Sequence, residues 1–232
     1  MTMSEREGRA TATSRIAYQL STSSREAGLI GVRDFRASAV QVAAKRTLDS
    51  LGYQPRINPF VSTDAQTDKR VARALFRDMM RDAPVRIRDV RALLGELNLD
   101  VNVEANDAES LDAFLEGSVT PDLSGPSRFW TADEFWVSFL TDLALMVYDV
   151  KSKQLGLEVQ LQTWGPNQLS YLWPVLAGFP GSKSFGVGLM TWMISPYGSS
   201  LAHGNRLNGG LSGHIAQIDS WLKYGRATPP EA

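Results

Sequence analysis

The chain has 232 residues with 24 Lys+Arg, 25 Asp+Glu, 2 His and no Cys, and a hydrophobic fraction of 43%. That length and composition suit a folded globular protein that buries its own core. The missing thiols exclude disulfides, thiolate metal sites, iron–sulfur clusters and cysteine nucleophiles. The formal net charge of −1 conceals a split: residues 1–91 carry 17 basic against 10 acidic side chains (+7), and residues 92–232 carry 7 against 15 (−8). Such asymmetry suits an anionic partner at the front, or head-to-tail contact between copies; two halves that fold together with their charges solvated on different sides explain it equally well.

Residues 1–32, rich in Ser, Thr, Arg and Glu, read as a polar flexible arm. The opening stretch has no apolar run before a small-residue cleavage site, so no secretory leader is expected. Residues 33–119 read as a basic helical region. Ala37, Val40, Ala44, Leu48 and Leu51 recur at helical spacing and predict a helix from Asp34 to Leu51, closed by Gly52. After a Pro-containing loop at 54–62, a second helix is predicted from Asp64 to Asp82, burying Val71, Leu75, Phe76 and Met79. Pro84 is expected to end it and to open a third, from Val85 to Leu97. Leu99, Val101 and Val103 alternate with polar residues as in a half-exposed strand. Asn106 or Asp107 then caps a short helix through Leu111, Phe114 and Leu115. Residues 120–127 are the linker candidate.

Residues 128–226 read as an aromatic-rich α+β region: 129–232 hold 15 of the 21 aromatics and all six Trp. Thr131 and Glu134 suggest a capping box for a helix reaching Val150, with Phe135, Trp136, Phe139, Leu140, Leu143 and Val147 on its apolar face. Its most apolar stretch, Phe135 to Val147, is broken by Asp142 and too short for a bilayer. Leu157, Val159 and Leu161 alternate as a strand. Leu169–Val175 and Phe185–Ile194 are further strand candidates, with Pro174 marking an edge. A glycine-rich loop, Gly198 to Gly213, precedes a last helix through Ile215, Ile218, Trp221 and Leu222. The fold expected is a mainly α-helical α+β protein with a small antiparallel sheet in its C-terminal part.

Catalytic constellations are weak. His203 and His214 have no carboxylate spaced to complete a zinc set. Gly210-Leu-Ser212-Gly213 misses the spacing and the preceding strand of a nucleophile elbow. Gly178 to Ser184 departs from a phosphate loop, since Ser182 separates Gly181 from Lys183, and reads as a hairpin turn. Asp149, Lys151 and Glu158 lack the strand-end placement of a metal-dependent nuclease, and Gln160 stands where its lysine would be. No cofactor or metal set is expected, and enzymatic activity is not indicated.

The pattern that stands out is basic. Arg70, Arg73, Arg77 and Arg81 lie at offsets 0, 3, 7 and 11, and at about 100° per residue fall in a narrow sector of one helix. Arg86, Arg88 and Arg91 follow in the next element. Guanidinium forks suit phosphate oxygens, so Arg70, Arg73, Arg77, Arg81 and Arg88 are the candidate nucleic-acid-binding residues. No base-reading signature accompanies them. Pairing with Asp78, Asp82 and Asp89 on a solvated face is the competing account. Trp164 is a candidate for stacking on bases.

The expected function is a non-enzymatic, self-assembling structural protein, coat- or nucleocapsid-like, whose partners are copies of itself and RNA or DNA backbone. No membrane contact is expected, and the compartment expected is the cytoplasm or a particle assembled there. The alternatives are a cytosolic protein-binding module (inhibitor or adaptor) and an enzyme with no recognisable motif.

Overall fold

The computed structural model describes residues 38–122, 132–182, 184–205 and 209–227; the arm at 1–32 and Thr131 lie outside them. Helix α1 spans Ala39–Ser50. Ser38 and Gln41 close a capping box at its start: Ser38 Oγ accepts the Gln41 N–H at 3.2 Å and Gln41 Oε1 accepts the Ser38 N–H at 2.8 Å. Gly52, at φ 82, turns the chain away after the C-cap, as its place in the sequence indicates. A 3-10 turn, Pro59–Val61, and the short α2, Thr63–Thr67, lead into α3, Lys69–Glu96. Asp68 caps α3 by accepting the Arg70 N–H at 2.7 Å.

The expectation of two helices meeting at Pro84 is corrected: α3 runs through Pro84 without a break. The reason is the face it buries. Ala72, Met79, Ala83, Ile87, Val90 and Leu94 lie on both sides of the proline and are all buried, while α3 packs along the long helix Glu134–Leu155. An interior proline costs about 3 kcal/mol, whereas burying each large apolar side chain returns roughly 1.5–3 kcal/mol. Continuity wins, and Pro84 sits on the exposed side.

The strand expected over Leu99–Val103 is also corrected. This segment is a turn, with Asn98 and Asn106 in the left-handed region and one isolated bridge between Asn102 and Asp107. With no neighbouring strand among the described residues, the alternation buries Val103 and packs the half-buried Leu99 and Val101 against the core. Helix α4, Glu109–Ser118, receives no side-chain hydrogen bond from its N-cap residue Ala108, although Asp107 accepts the Glu109 N–H at 3.3 Å. Thr120 and Pro121, at the start of the linker candidate, are buried, and Pro121 bridges to Ala132.

Helix α5, Glu134–Leu155, is the axis of the core, with Trp136, Phe139, Leu140, Leu143, Ala144 and Val147 fully enclosed. Its N-cap is Asp133, whose carboxylate accepts the Trp136 N–H at 3.1 Å. Gly156, left-handed at φ 68, ends it. Three antiparallel strands follow, β1 Glu158–Leu161, β2 Pro174–Ala177 and β3 Gly186–Val187, in the order β1-β2-β3. Glu158 pairs with Ala177 and Leu161 with Pro174; Leu176 pairs with Val187. Pro174 is therefore on the central strand, not at an edge, and is tolerated as its first residue.

The second half of the Phe185–Ile194 strand candidate is helical: α6 Leu189–Trp192 passes into a π-turn Met193–Tyr197 and then α7 Gly198–Ala202. The glycine-rich stretch from Gly198 is thus a helix at its start, and α8, Gly210–Ala227, begins before its end. The protein is a mainly α-helical α+β fold with one small antiparallel sheet. One cluster of buried residues runs from Ala44 in α1 to Leu222 in α8. No helix among the described residues is long and apolar enough to cross a membrane.

Candidate functional site

Because α3 is unbroken, residues on either side of Pro84 share one helical phase. Arg88 is 18 residues after Arg70, five full turns at about 3.6 residues each, so it falls directly in line with the first arginine. Arg70, Arg73, Arg77, Arg81 and Arg88 thereby occupy one sector roughly 80° wide, and all five are exposed. The track from Arg70 to Arg88 is about 27 Å long at about 1.5 Å per residue. The opposite side of the helix carries Met79, Val90, Leu93 and Leu94 into the core.

Beside this apolar face lies a buried polar network centred on Arg86. Its side chain is 5% exposed and its Nε meets Asp142 Oδ1 at 2.5 Å. Tyr53 donates its hydroxyl to Asp142 Oδ2 at 2.9 Å and lies 3.0 Å from Ser138 Oγ, which accepts the Arg56 N–H at 2.6 Å. Arg56 then pairs with Asp89 at 2.8 Å. Arg86 Nη2 is buried with no hydrogen-bond partner among the described residues. Burial pushes the Asp142 carboxyl up, opposed by the Arg86 charge beside it. Burial and the Asp142 charge likewise push the Tyr53 phenol far above its ordinary range. Arg86 inward and Arg88 outward are one geometric decision, since removing a partner from a buried pair strands an uncompensated charge.

The exposed arginines differ in their pairing. Arg81, 71% exposed, meets Asp78 at 3.0 Å and Asp82 at 3.5 Å; Arg88, 73% exposed, meets Asp89 at 3.1 Å. Such surface pairs are worth about 0–1 kcal/mol, little enough for a phosphate to displace. Arg70, Arg73 and Arg77 form no ion pair among the described residues. The carboxylate-paired account thus describes the middle and end of the track, not its beginning. Arg91, three residues after Arg88, is exposed in the same sector and pairs with Asp149 at 3.3 Å.

The weaker motifs resolve into structure. Ser212 lies in α8 and its hydroxyl accepts the Ala108 N–H at 2.9 Å, so it is not on a strained elbow. Gly178 to Ser184 spans the β2–β3 hairpin connection, with Lys183 outside the described residues. Asp149 and Lys151 face different partners: Asp149 pairs with Arg91 and Lys153, whereas the fully buried Lys151 Nζ meets Asp219 at 2.9 Å and Asn106 Oδ1 at 2.7 Å. Among the described residues no three His, Asp or Glu side chains gather as a metal set. Trp164 is half-buried, not exposed, with its indole N–H enclosed.

Sequence reasoning missed the in-phase position of Arg88, because it broke the helix at Pro84. The 18-residue spacing was the available signal. It also placed Arg86 beside its neighbours without distinguishing its burial, which depends on Asp142 56 positions away. No protein-family model, curated protein or solved structure matches this chain.

Proposed function

We propose that the protein is a non-enzymatic, self-assembling structural protein that binds nucleic-acid backbone along α3. The observation carrying this reading is the outward arginine track, five guanidinium groups in one exposed sector of a 28-residue helix. Its length spans several phosphates of a strand, and guanidinium forks hold phosphate oxygens in two-point contacts. Contacts of this kind position a protein on nucleic acid without reading bases. The opposed charges of the two halves of the chain favour heterologous contacts between copies.

The test is fluorescence anisotropy with random-sequence single-stranded RNA and duplex DNA over a salt series. Binding should be indifferent to sequence and should weaken steeply with salt. The triple variant Arg70→Ala/Arg73→Ala/Arg77→Ala should reduce the slope of log K against log salt by about 2 on single strands and nearly 3 on duplex. No binding at low salt, or an unchanged slope in a folded triple variant, defeats the reading.

A further inference from the structure

Where α3, α5 and β1 meet, the surface opens into a groove of about 470 Å³, within the roughly 300–1,000 Å³ range of small-molecule sites. Its walls are apolar: Met80, Pro84 and Ile87 from α3, Leu145 from α5 and Val159 from β1. Its mouth is charged on one side, where Arg88, Arg91 and Lys153 stand beside Asp149. Asp149 holds two of these cations together, Arg91 at 3.3 Å and Lys153 at 2.7 Å. Arg88 also meets Asp89, which Arg56 shares, and Glu104 lies beside Arg91 and Lys153 in the adjoining cleft; four cations against three carboxylates leave the rim with one net positive charge.

The walls decide the class of occupant. The Tyr148 hydroxyl is turned away, lying 3.0 Å from the Pro174 carbonyl and accepting the Met190 N–H at 3.2 Å. Ser152 donates to the Asp149 carbonyl at 3.1 Å. A sugar or a base seated here would lose water from its polar edges and find few groups to replace it, which costs free energy. A hydrocarbon loses nothing of that kind and gains by burial. The rim, by contrast, suits an anion.

We infer that this groove binds a free single-chain amphiphile, with its hydrocarbon tail against Met80, Pro84, Ile87, Leu145 and Val159 and its carboxylate or phosphate head at Arg88, Arg91 and Lys153. The inference goes beyond the backbone-binding reading, because the apolar walls and Lys153 have no part in the arginine track.

Isothermal titration calorimetry of the full chain with decanoate and with decyl phosphate, both kept monomeric, tests it, with decanol as the uncharged probe. Saturable one-to-one binding of both anions is expected, with decanol at least tenfold weaker. Val159→Trp and Met80→Trp, each at a half-buried wall position, should fill the groove and weaken decanoate at least tenfold. Two such variants guard against one failing to fold, which near-UV circular dichroism reports. Arg88→Ala/Arg91→Ala should cost about tenfold, the effect of losing a charge-assisted contact. The inference is overturned if neither anion binds, if decanol binds as well as decanoate, or if both folded Trp variants keep wild-type affinity. Binding only to phosphatidylcholine vesicles doped with phosphatidylserine would also overturn it, by identifying a membrane-surface patch instead.

Discussion

Three buried polar residues fix the relative placement of distant elements. Asp142 takes Arg86 of α3 and Tyr53 of the preceding loop. Asp112 of α4 accepts the Leu211 N–H at 2.7 Å at the start of α8, together with the Tyr197 hydroxyl. Gly210, at φ 50, must be glycine there, since a Cβ would stand 2.5 Å from the Asp112 carboxylate. Lys151 ties α5 to Asp219 of α8. His214 adds a pH dependence. Its ring stacks on Trp192 at 3.9 Å between centroids, 2° from parallel, and burial holds its pKa down to about 4. The unfolded chain titrates this histidine near its ordinary value of about 6.5, so between those values the unfolded state binds more protons. The contribution of His214 is therefore full above about pH 6.5 and is lost progressively as pH falls from there through about 4, a total of roughly 3 kcal/mol. Urea unfolding at about pH 7 and about pH 4.5 should show the wild type losing more stability than His214→Phe over that interval. Equal losses would mean that the imidazole is not held neutral by the fold.

At the scale of elements, α3 shows local propensity yielding to tertiary packing. Pro84 has no N–H to give the Met80 carbonyl, yet the apolar face continues past it against α5. Because Pro84 is exposed, Pro84→Ala should restore the missing bond without disturbing the core. The variant should be more stable by about 1–3 kcal/mol, the upper figure being the host–guest difference and the lower allowing for greater freedom of its unfolded chain. A rise in the urea midpoint checks this; a fall would mean that the proline ring itself packs usefully in the groove. The Leu189–Leu201 stretch teaches a related lesson. Leu189, Met190, Met193, Ile194, Tyr197 and Leu201 are all buried at intervals that suit a helix, but the continuous apolar run from Phe185 reads equally as a buried strand. Only its packing against α5 selects the helix.

For the whole molecule, one core cluster joins α1 to α8 around α5, and the self-assembly proposed above rests on the opposite net charges of the two halves of the sequence acting as opposed fields between copies. If copies associate through those fields, the assembly is electrostatic and screened by salt, with a Debye length of about 8 Å at physiological ionic strength. Size-exclusion chromatography with multi-angle light scattering should then give a particle larger than one chain at low salt and a smaller species as salt rises. A single-chain mass at every salt concentration would remove self-assembly from the proposed function while leaving the arginine track to its own test.

The class of fold, the apolar axis of α5, strand β1 and the outward arginines were all legible in the amino-acid sequence. Each rests on local periodicity: apolar side chains at helical or alternating spacing must share a face, and arginines in phase must share another. The left-handed glycine after the first helix, Gly52, was legible for the same reason, since left-handed backbone is a local demand. Tertiary structure alone decided that α3 continues through Pro84, that Arg86 turns inward while Arg88 faces out, and that the α3–α5–β1 groove exists. These outcomes depend on residues far apart in the chain. Asp142 supplies the countercharge for Arg86, and Val159 completes a wall begun by Met80. The free energy that settles them comes from burial and pairing across the core, which no local pattern encodes.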